Sequence, residues 1–197
     1  MKVIGLTGSI GMGKTTAAAL FRRRGIPVYD ADRAVHKLSE KGGLAVPAIA
    51  RAFPGVVKDG AVDRKALGAL VFNDVKALKK LESILHPLVA RERTAFLRRN
   101  RARRQGIVVL DIPLLFETGG DALADQIVVV SAPAFLQTAR VMKRPGMTAE
   151  KLQGILSHQM ADCEKRRRAD LVIPTGLGKR TALRLIDRLL ADLKRRN

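Results

Sequence analysis

Short apolar runs alternate along the chain with longer stretches in which apolar residues recur every three or four positions. The runs Val3–Leu6, Pro27–Tyr29, Ile107–Asp111, Gln126–Val130 and Leu171–Ile173 predict five strands. Several are rich in Val, Ile and Leu with no polar alternation, the pattern of parallel strands covered on both faces. Helices are predicted between them. Lys14–Arg24 follows a glycine-rich loop. Thr148–Arg168 opens on Thr148, a good cap residue, but carries Lys151 where a capping box needs Glu or Gln. Thr181–Arg195 puts Leu183, Ile186, Leu189, Leu190 and Leu193 on one stripe, which should face the core. The alternation as a whole predicts an α/β fold with a parallel sheet.

One stretch breaks the rhythm. From Asp30 to Gly106 more than seventy residues carry only short apolar runs, such as Leu70–Phe72. That is too long for a simple crossover and reads as several helices inserted into the α/β core. Pro87, after His86 in a helical pattern, predicts a kink or a new helix start.

Composition narrows the partners. Of 197 residues, 47% are apolar and 28% charged, the balance of a globular chain. Lys and Arg number 37 against 18 Asp and Glu, a net charge of +19 that favours anionic ligands. With no Trp, one Tyr and six Phe, stacking platforms for single-stranded nucleic acid are scarce. The basic run Arg91, Arg93, Arg98, Arg99, Arg101, Arg103 and Arg104 therefore reads first as a solvated helix face, and nucleic acid is not the expected partner. The single cysteine, Cys163, excludes an internal disulfide and fits a reducing compartment. Asp162 and Glu164 beside it disfavour a thiolate. His36, His86 and His158 lack metal-ligand spacing with Cys163. No uncharged apolar run is long enough for a membrane span, and the first residues lack the apolar core of a signal peptide, so the expectation is a cytoplasmic protein.

The chemistry begins at Gly8-Ser9-Ile10-Gly11-Met12-Gly13-Lys14-Thr15, a complete G-x-x-x-x-G-K-[ST] between a predicted strand and a predicted helix. Glycines let successive backbone N–H groups turn toward phosphate oxygens, and the helix N-terminus adds its positive end. Lys14 is expected to reach the β- and γ-phosphates, and the Thr15 hydroxyl to ligate Mg²⁺. Gly178-Lys179-Arg180-Thr181 echoes the motif superficially but lacks its first Gly and reads as a loop and helix start. Val108-Val109-Leu110-Asp111 is an apolar strand ending in Asp, so Asp111 is a second candidate for Mg²⁺. Ile112 follows where water-activating ATPases commonly carry Glu, and no Asn-Lys-x-Asp guanine-reading sequence occurs. Phosphoryl transfer to a small acceptor is then the leading reaction class. Such transfer needs a carboxylate to take the acceptor's proton. Asp30-Ala31-Asp32 follows the second predicted strand and supplies two candidates, with Asp32 equally able to cap the next helix.

Taken in order, Gly5–Lys14, Asp30-Ala31-Asp32, His86-Pro87-Leu88, Ile112-Pro113-Leu114-Leu115-Phe116-Glu117 and Ala169–Ile173 resemble the dephospho-CoA kinase family. These enzymes phosphorylate the ribose 3′-hydroxyl of dephospho-CoA with ATP, the final step of coenzyme A synthesis. The likeness runs from about Met1 to Gly178. It implies a P-loop kinase core of five parallel strands (1–32, 105–133 and 161–197), a helical substrate domain over about 33–104 and a mobile lid over about 134–160. It also implies that Lys14, Asp32 as base and Arg140 as a clamp on the transferring phosphate are catalytic. ATP would be held by Gly8, Gly11, Met12, Gly13, Lys14, Thr15, Thr16, Arg144 and Gly176, and Mg²⁺ by Thr15 and Asp111. Gln137, Arg140 and Arg144 fit the family's Gln-x-x-Arg-x-x-x-Arg pattern; Gln159 and Lys165 match a later part and carry no assigned catalytic role. Three positions depart from the family. His36 stands where it usually has Arg, Ile155 replaces another Arg, and Thr175 before Gly176 replaces the Asn of a closing Asn-x-Gly. Shikimate kinase also pairs a P-loop with Asp-x-Asp, but it needs a Gly-Gly-Gly downstream, which this chain lacks; it has only the pairs Gly42-Gly43 and Gly119-Gly120.

Overall fold

In the computed structural model, residues 1–71 and 74–195 are described, so Phe72 of the run noted above lies outside them. Lys2–Thr7 (β1) carries Val3, Ile4 and Leu6, all buried, and forms the middle of a five-stranded sheet. Ile107–Asp111 (β5) pairs on one side of it and Gln126–Ser131 (β6) on the other. Val28–Asp30 (β2) lies outside β5, and Leu171–Pro174 (β7) outside β6. Every pairing is parallel, in the order β2-β5-β1-β6-β7. The chain leaves β1 for the β2–β5 side and later returns to the β6–β7 side. The carboxyl end of β1 is thus the switch point where open α/β sheets take their ligands. Leu6 is in register with Asp111, which puts that carboxylate beside the start of the glycine loop.

All five residues of β5 are buried, as continuous apolar runs predict. Lys14–Arg23 (α1) contributes Ala17, Ala18, Leu20 and Phe21 to the core, and Gly178–Arg195 (α9) contributes Ala182, Ile186, Leu190 and Leu193. Burying a side chain of the size of Phe21 stabilises by about 1.5–3 kcal/mol. Thr181 does not open α9: the helix begins at Gly178, directly after a 3₁₀ turn at Thr175–Leu177, and the Thr181 hydroxyl donates back to the Leu177 carbonyl.

The helix expected over Thr148–Arg168 is two helices, Ala149–Ser157 (α7) and Asp162–Arg167 (α8). Thr148 does cap the first, accepting from the Lys151 N–H. The break has a cause that periodicity cannot show: the Met160 N–H donates to Glu117 Oε1, a tertiary partner, instead of continuing a helix. Ala134–Met142 (α6) precedes them.

Residues Ala31–Arg99 form a second compact unit, apart from a first unit made of Met1–Asp30 and Asn100–Asn197. It holds Ala31–Ser39 (α2), Val46–Ala52 (α3), the hairpin Val57–Lys58 (β3) and Ala61–Val62 (β4), and Arg64–Val71 (α4). Val75–Ala102 (α5) begins in it and runs without interruption past Pro87, so no new helix starts there. The hairpin is an element the apolar pattern missed. Asp59 and Gly60 both take positive φ in its two-residue turn, the conformation that an Asp-Gly pair favours. Leu38, Val46, Ile49, Phe53, Val56 and Leu67 make this unit's own core.

Candidate active site

The loop between β1 and α1 is shaped by what surrounds it. Gly11 has φ +76°, and a Cβ there would come within 2.6 Å of Val141 Cγ2 on α6. At Gly8 a Cβ would meet Val130 Cγ2 at 2.3 Å. Neither position can carry a side chain while the loop lies this close to β6 and α6. Gly13, also left-handed, sits just before α1 with no side-chain cap, so the first turn keeps its orphan N–H groups. Among the described residues the N–H groups of Gly11, Gly13 and Lys14 find no protein acceptor. They remain available to an anion, with the helix dipole behind them.

Lys14 opens α1 and its Nζ donates to Asp111 Oδ1 at 2.6 Å. The side chains are 16% and 4% exposed, so this is a largely desolvated ion pair at the mouth of the loop. Thr15 is exposed on the first turn, one residue on. Its hydroxyl and the Asp111 carboxylate are hard oxygen donors. Among the described residues no group of three or more His, Cys, Asp or Glu could hold a metal ion. A cation here would complete its shell with phosphate and water, which is the habit of Mg²⁺, and the donor set fits it.

Thr16 lines a cleft of about 340 Å³ with Gly13, Ala17, Arg140, Thr175, Gly178, Lys179 and Ala182. Arg140, expected as a phosphate clamp, is here engaged by protein. Its Nη1 donates to Thr175 Oγ1 at 3.0 Å and to the Gly11 carbonyl at 3.3 Å, and its Nη2 to the Thr175 carbonyl at 3.0 Å. Gly176 packs under α6, where a Cβ would meet Leu136 and Pro133 at 3.2 Å. Met12 enters the site through its backbone alone. Its side chain is core, with Sδ accepting from the Ala132 N–H, while its own N–H donates to the Ser9 carbonyl and its carbonyl accepts from Thr175. Arg144 lies beyond α6, exposed, with no side-chain hydrogen bond or ion pair among the described residues.

The two candidate bases fall in different units. Asp30 ends β2 in the first and lies 3.9 Å from Arg22 Nη2. Asp32 stands exposed in the first turn of α2 in the second. Because α2 starts at Ala31, Asp32 lies inside the helix and not at its cap. His36, one turn further along α2, accepts from Arg64 Nη1 through Nδ1 at 2.6 Å.

Sequence reasoning underrated three groups. Gln137 is buried and donates from Nε2 to the Ile10 carbonyl at 2.8 Å; Gln159 Oε1 accepts from the Ile10 N–H at 3.1 Å. Thr175, noted only as a departure, donates to the Met12 carbonyl at 2.7 Å. Lys165 is fully buried and pairs with Glu117 Oε1 at 2.8 Å. Burial pushes the Glu117 carboxyl up, but the Lys165 ammonium and the Met160 N–H outweigh it and leave it below its usual range. The available signal was Glu117 closing the apolar run Ile112–Phe116; Lys165 lies in the charged run Asp162–Arg168 and offered only its match to the family pattern. Leu115 is fully buried, and a Cβ on Gly5 would strike its Cδ2 at 2.9 Å.

Comparison with known proteins identifies the family. The family model for dephospho-CoA kinase matches residues 2–177. A dephospho-CoA kinase of Paramagnetospirillum magneticum is 62% identical over 84% of this chain and 78% of its own length. One of Mesorhizobium japonicum is 54% identical over 98% of both. A crystal structure from Thermus thermophilus superposes with a TM-score of 0.85 at 38% identity, covering 98% of this chain and 97% of that one. A match of this extent, on a parallel sheet with a complete P-loop at its switch point, makes the chain a member of the dephospho-CoA kinase family.

Proposed function

We propose that the first unit binds ATP at the glycine loop and that its γ-phosphoryl group passes to the ribose 3′-hydroxyl of dephospho-CoA. Family membership supports both substrates. The observation that carries the chemistry is the 2.6 Å contact between Lys14 and Asp111 at the switch point of the sheet. It joins a phosphate-seeking cation to a carboxylate suited to a metal. On binding, phosphate oxygens take over Lys14 and release Asp111, while the N–H groups of Gly11, Gly13 and Lys14 receive the remaining charge. Thr15 and Asp111 would hold Mg²⁺, which neutralises charge on the phosphate oxygens. The cleft beside Thr16 suits the adenine.

Asp32 takes the proton of the 3′-hydroxyl as that oxygen attacks the γ-phosphorus. The bond to the β-phosphate oxygen breaks, and ADP leaves with its electron pair. In this reading the second unit binds dephospho-CoA, and residues from about 134 to 160 serve as the lid: α6 keeps its hold on the loop while the segment beyond it closes and Arg140 and Arg144 turn to the phosphates. The reaction takes place in the cytoplasm, a location supported by the lone Cys163; among the described residues no helix is long and apolar enough to cross a membrane.

The test is to incubate the purified protein with ATP, Mg²⁺ and a panel of hydroxyl acceptors, and to identify products by mass. Dephospho-CoA should gain one phosphoryl group on its ribose while shikimate stays unchanged. Phosphorylation of another acceptor in its place would overturn the reading.

A further inference from the structure

Peptide planes dictate what a phosphate loop can offer. A carbonyl and the following N–H share one trans plane and point in opposite directions. Whatever holds the carbonyl therefore aims the N–H. In this loop the Ile10 carbonyl is held by Gln137 Nε2 at 2.8 Å, and the next N–H, that of Gly11, has no protein acceptor among the described residues. The Met12 carbonyl is held by the Thr175 hydroxyl at 2.7 Å, and the next N–H, that of Gly13, is likewise without one. The intervening planes are closed off: the Ile10 N–H goes to Gln159, the Met12 N–H to the Ser9 carbonyl, and the Gly11 carbonyl to Arg140. Alternate carbonyls are thus gripped from outside the loop, and alternate amides are left to face a ligand.

From this pattern we infer that Gln137 and Thr175 are positioning residues for phosphoryl transfer, which turn the Ile10–Gly11 and Met12–Gly13 peptides so that two amides meet the phosphates of ATP. The inference rests on the reading that the loop binds ATP. Each acts through the backbone it holds, Thr175 by its hydroxyl even though it also lines the cleft beside Thr16. Both sites are suited to the task. Gln137 is buried on α6, and Thr175 sits in the 3₁₀ turn after β7, its Cβ, Oγ1 and Cγ2 all 3.1–3.2 Å from where a Gly13 Cβ would be. A glycine flanked by unheld peptides would flip freely. Two held carbonyls remove that freedom before the substrate arrives, which is the preorganisation that electrostatic catalysis requires.

Thr175→Val keeps the shape and removes the hydroxyl; Thr175→Ser keeps the hydroxyl and removes the methyl. Thr175→Val should lower kcat/KM for ATP by about 10- to 100-fold, since a displaced donor at a reacting phosphate costs on that order. Thr175→Ser should stay within about threefold of the parent, and both should leave KM for dephospho-CoA within about twofold. Gln137→Met should repeat the loss at the other carbonyl. A Thr175→Val enzyme equal to the parent, or a Thr175→Ser enzyme as slow as Thr175→Val, overturns the proposal, and so does a large change in KM for dephospho-CoA. Calorimetric titration with ATP separates this from the function itself. If the parent protein phosphorylated no dephospho-CoA, that reading would fall, yet weaker ATP binding by Thr175→Val than by Thr175→Ser would still support the grip on the loop, and equal binding would refute it.

Discussion

The loop unit and the helical unit bury their cores in different ways. In the first, β5 is buried at every residue, and Ile4, Leu6, Phe21, Val109 and Ile186 are fully enclosed between sheet and helices. In the second, α5 presents Leu81, Ile84, Leu85, Leu88 and Val89 only half-buried against a smaller cluster around Ile49 and Phe53. The contrast follows from the task proposed for each. Amides aimed at phosphate need a frame that does not yield, and close-packed parallel strands supply one. A surface that receives an extended acceptor can be built from helices buried on one side, with charged residues left facing out.

The sharpest way to break this division is at Lys14. Lys14→Ala removes the cation from the rigid unit and should reduce turnover by several orders of magnitude, about the scale on which phosphoryl transfer depends on charge placement. Thermal stability should fall as well, because the variant leaves the 4%-exposed Asp111 carboxylate without the Lys14 ammonium, and removing one partner of a desolvated pair is costly. A steady-state assay with a melting curve checks both. Next comes Asp32 in the helical unit. Asp32→Asn should slow transfer by roughly 10²–10⁴-fold, the usual contribution of a general base. If Asp30→Asn is the slow variant and Asp32→Asn is not, the base belongs to the first unit. A smaller effect is expected at Arg140, where Lys keeps the charge but cannot span Gly11 and Thr175 together; about a 10- to 100-fold fall in kcat/KM for ATP should result.

Stability should divide in the same way. Leu115→Ala, at a fully buried site under Gly5, should cost about 2–5 kcal/mol in urea unfolding followed by circular dichroism. Leu88→Ala, at a half-buried site on α5, should cost less. The smallest effect is acid lability. Glu117 titrates below its usual 4.5 in the folded chain. Its contribution is therefore full above about pH 4.5 and disappears as pH falls through the lower folded value. Glu117→Gln should flatten the acid side of the melting-temperature profile; an unchanged profile would show that other carboxylates set it.

Legibility in the sequence did not follow that division; it followed how far apart along the chain the interacting residues lie. The five strands, the glycine loop, Lys14, Thr15 and Asp111 are local in sequence, and each element is written in a run of ten residues or fewer. Thr148 was readable as a cap for the same reason. The break between α7 and α8 was not, because it depends on Glu117, far away in sequence, capturing the Met160 N–H. Gln137 and Thr175 lie more than a hundred residues from the carbonyls they hold, so no spacing rule could have joined them to the loop. The β3–β4 hairpin was missed although Asp59-Gly60 announced it, because its strands are two residues each and carry no period. At Pro87 the sequence left two outcomes open, a kink or a new helix start, and the second is excluded because α5 continues through it with the loss of one hydrogen bond.

The central claim is that the loop unit holds ATP while the helical unit supplies the acceptor's base. The most direct test measures ATP affinity by calorimetry and single-turnover transfer to dephospho-CoA on Asp32→Asn and Lys14→Ala side by side. The account predicts that Asp32→Asn binds ATP as the parent does and transfers at least about 100-fold more slowly, whereas Lys14→Ala loses both binding and transfer. An Asp32→Asn protein that loses ATP affinity, or one that transfers at the parental rate, would contradict it.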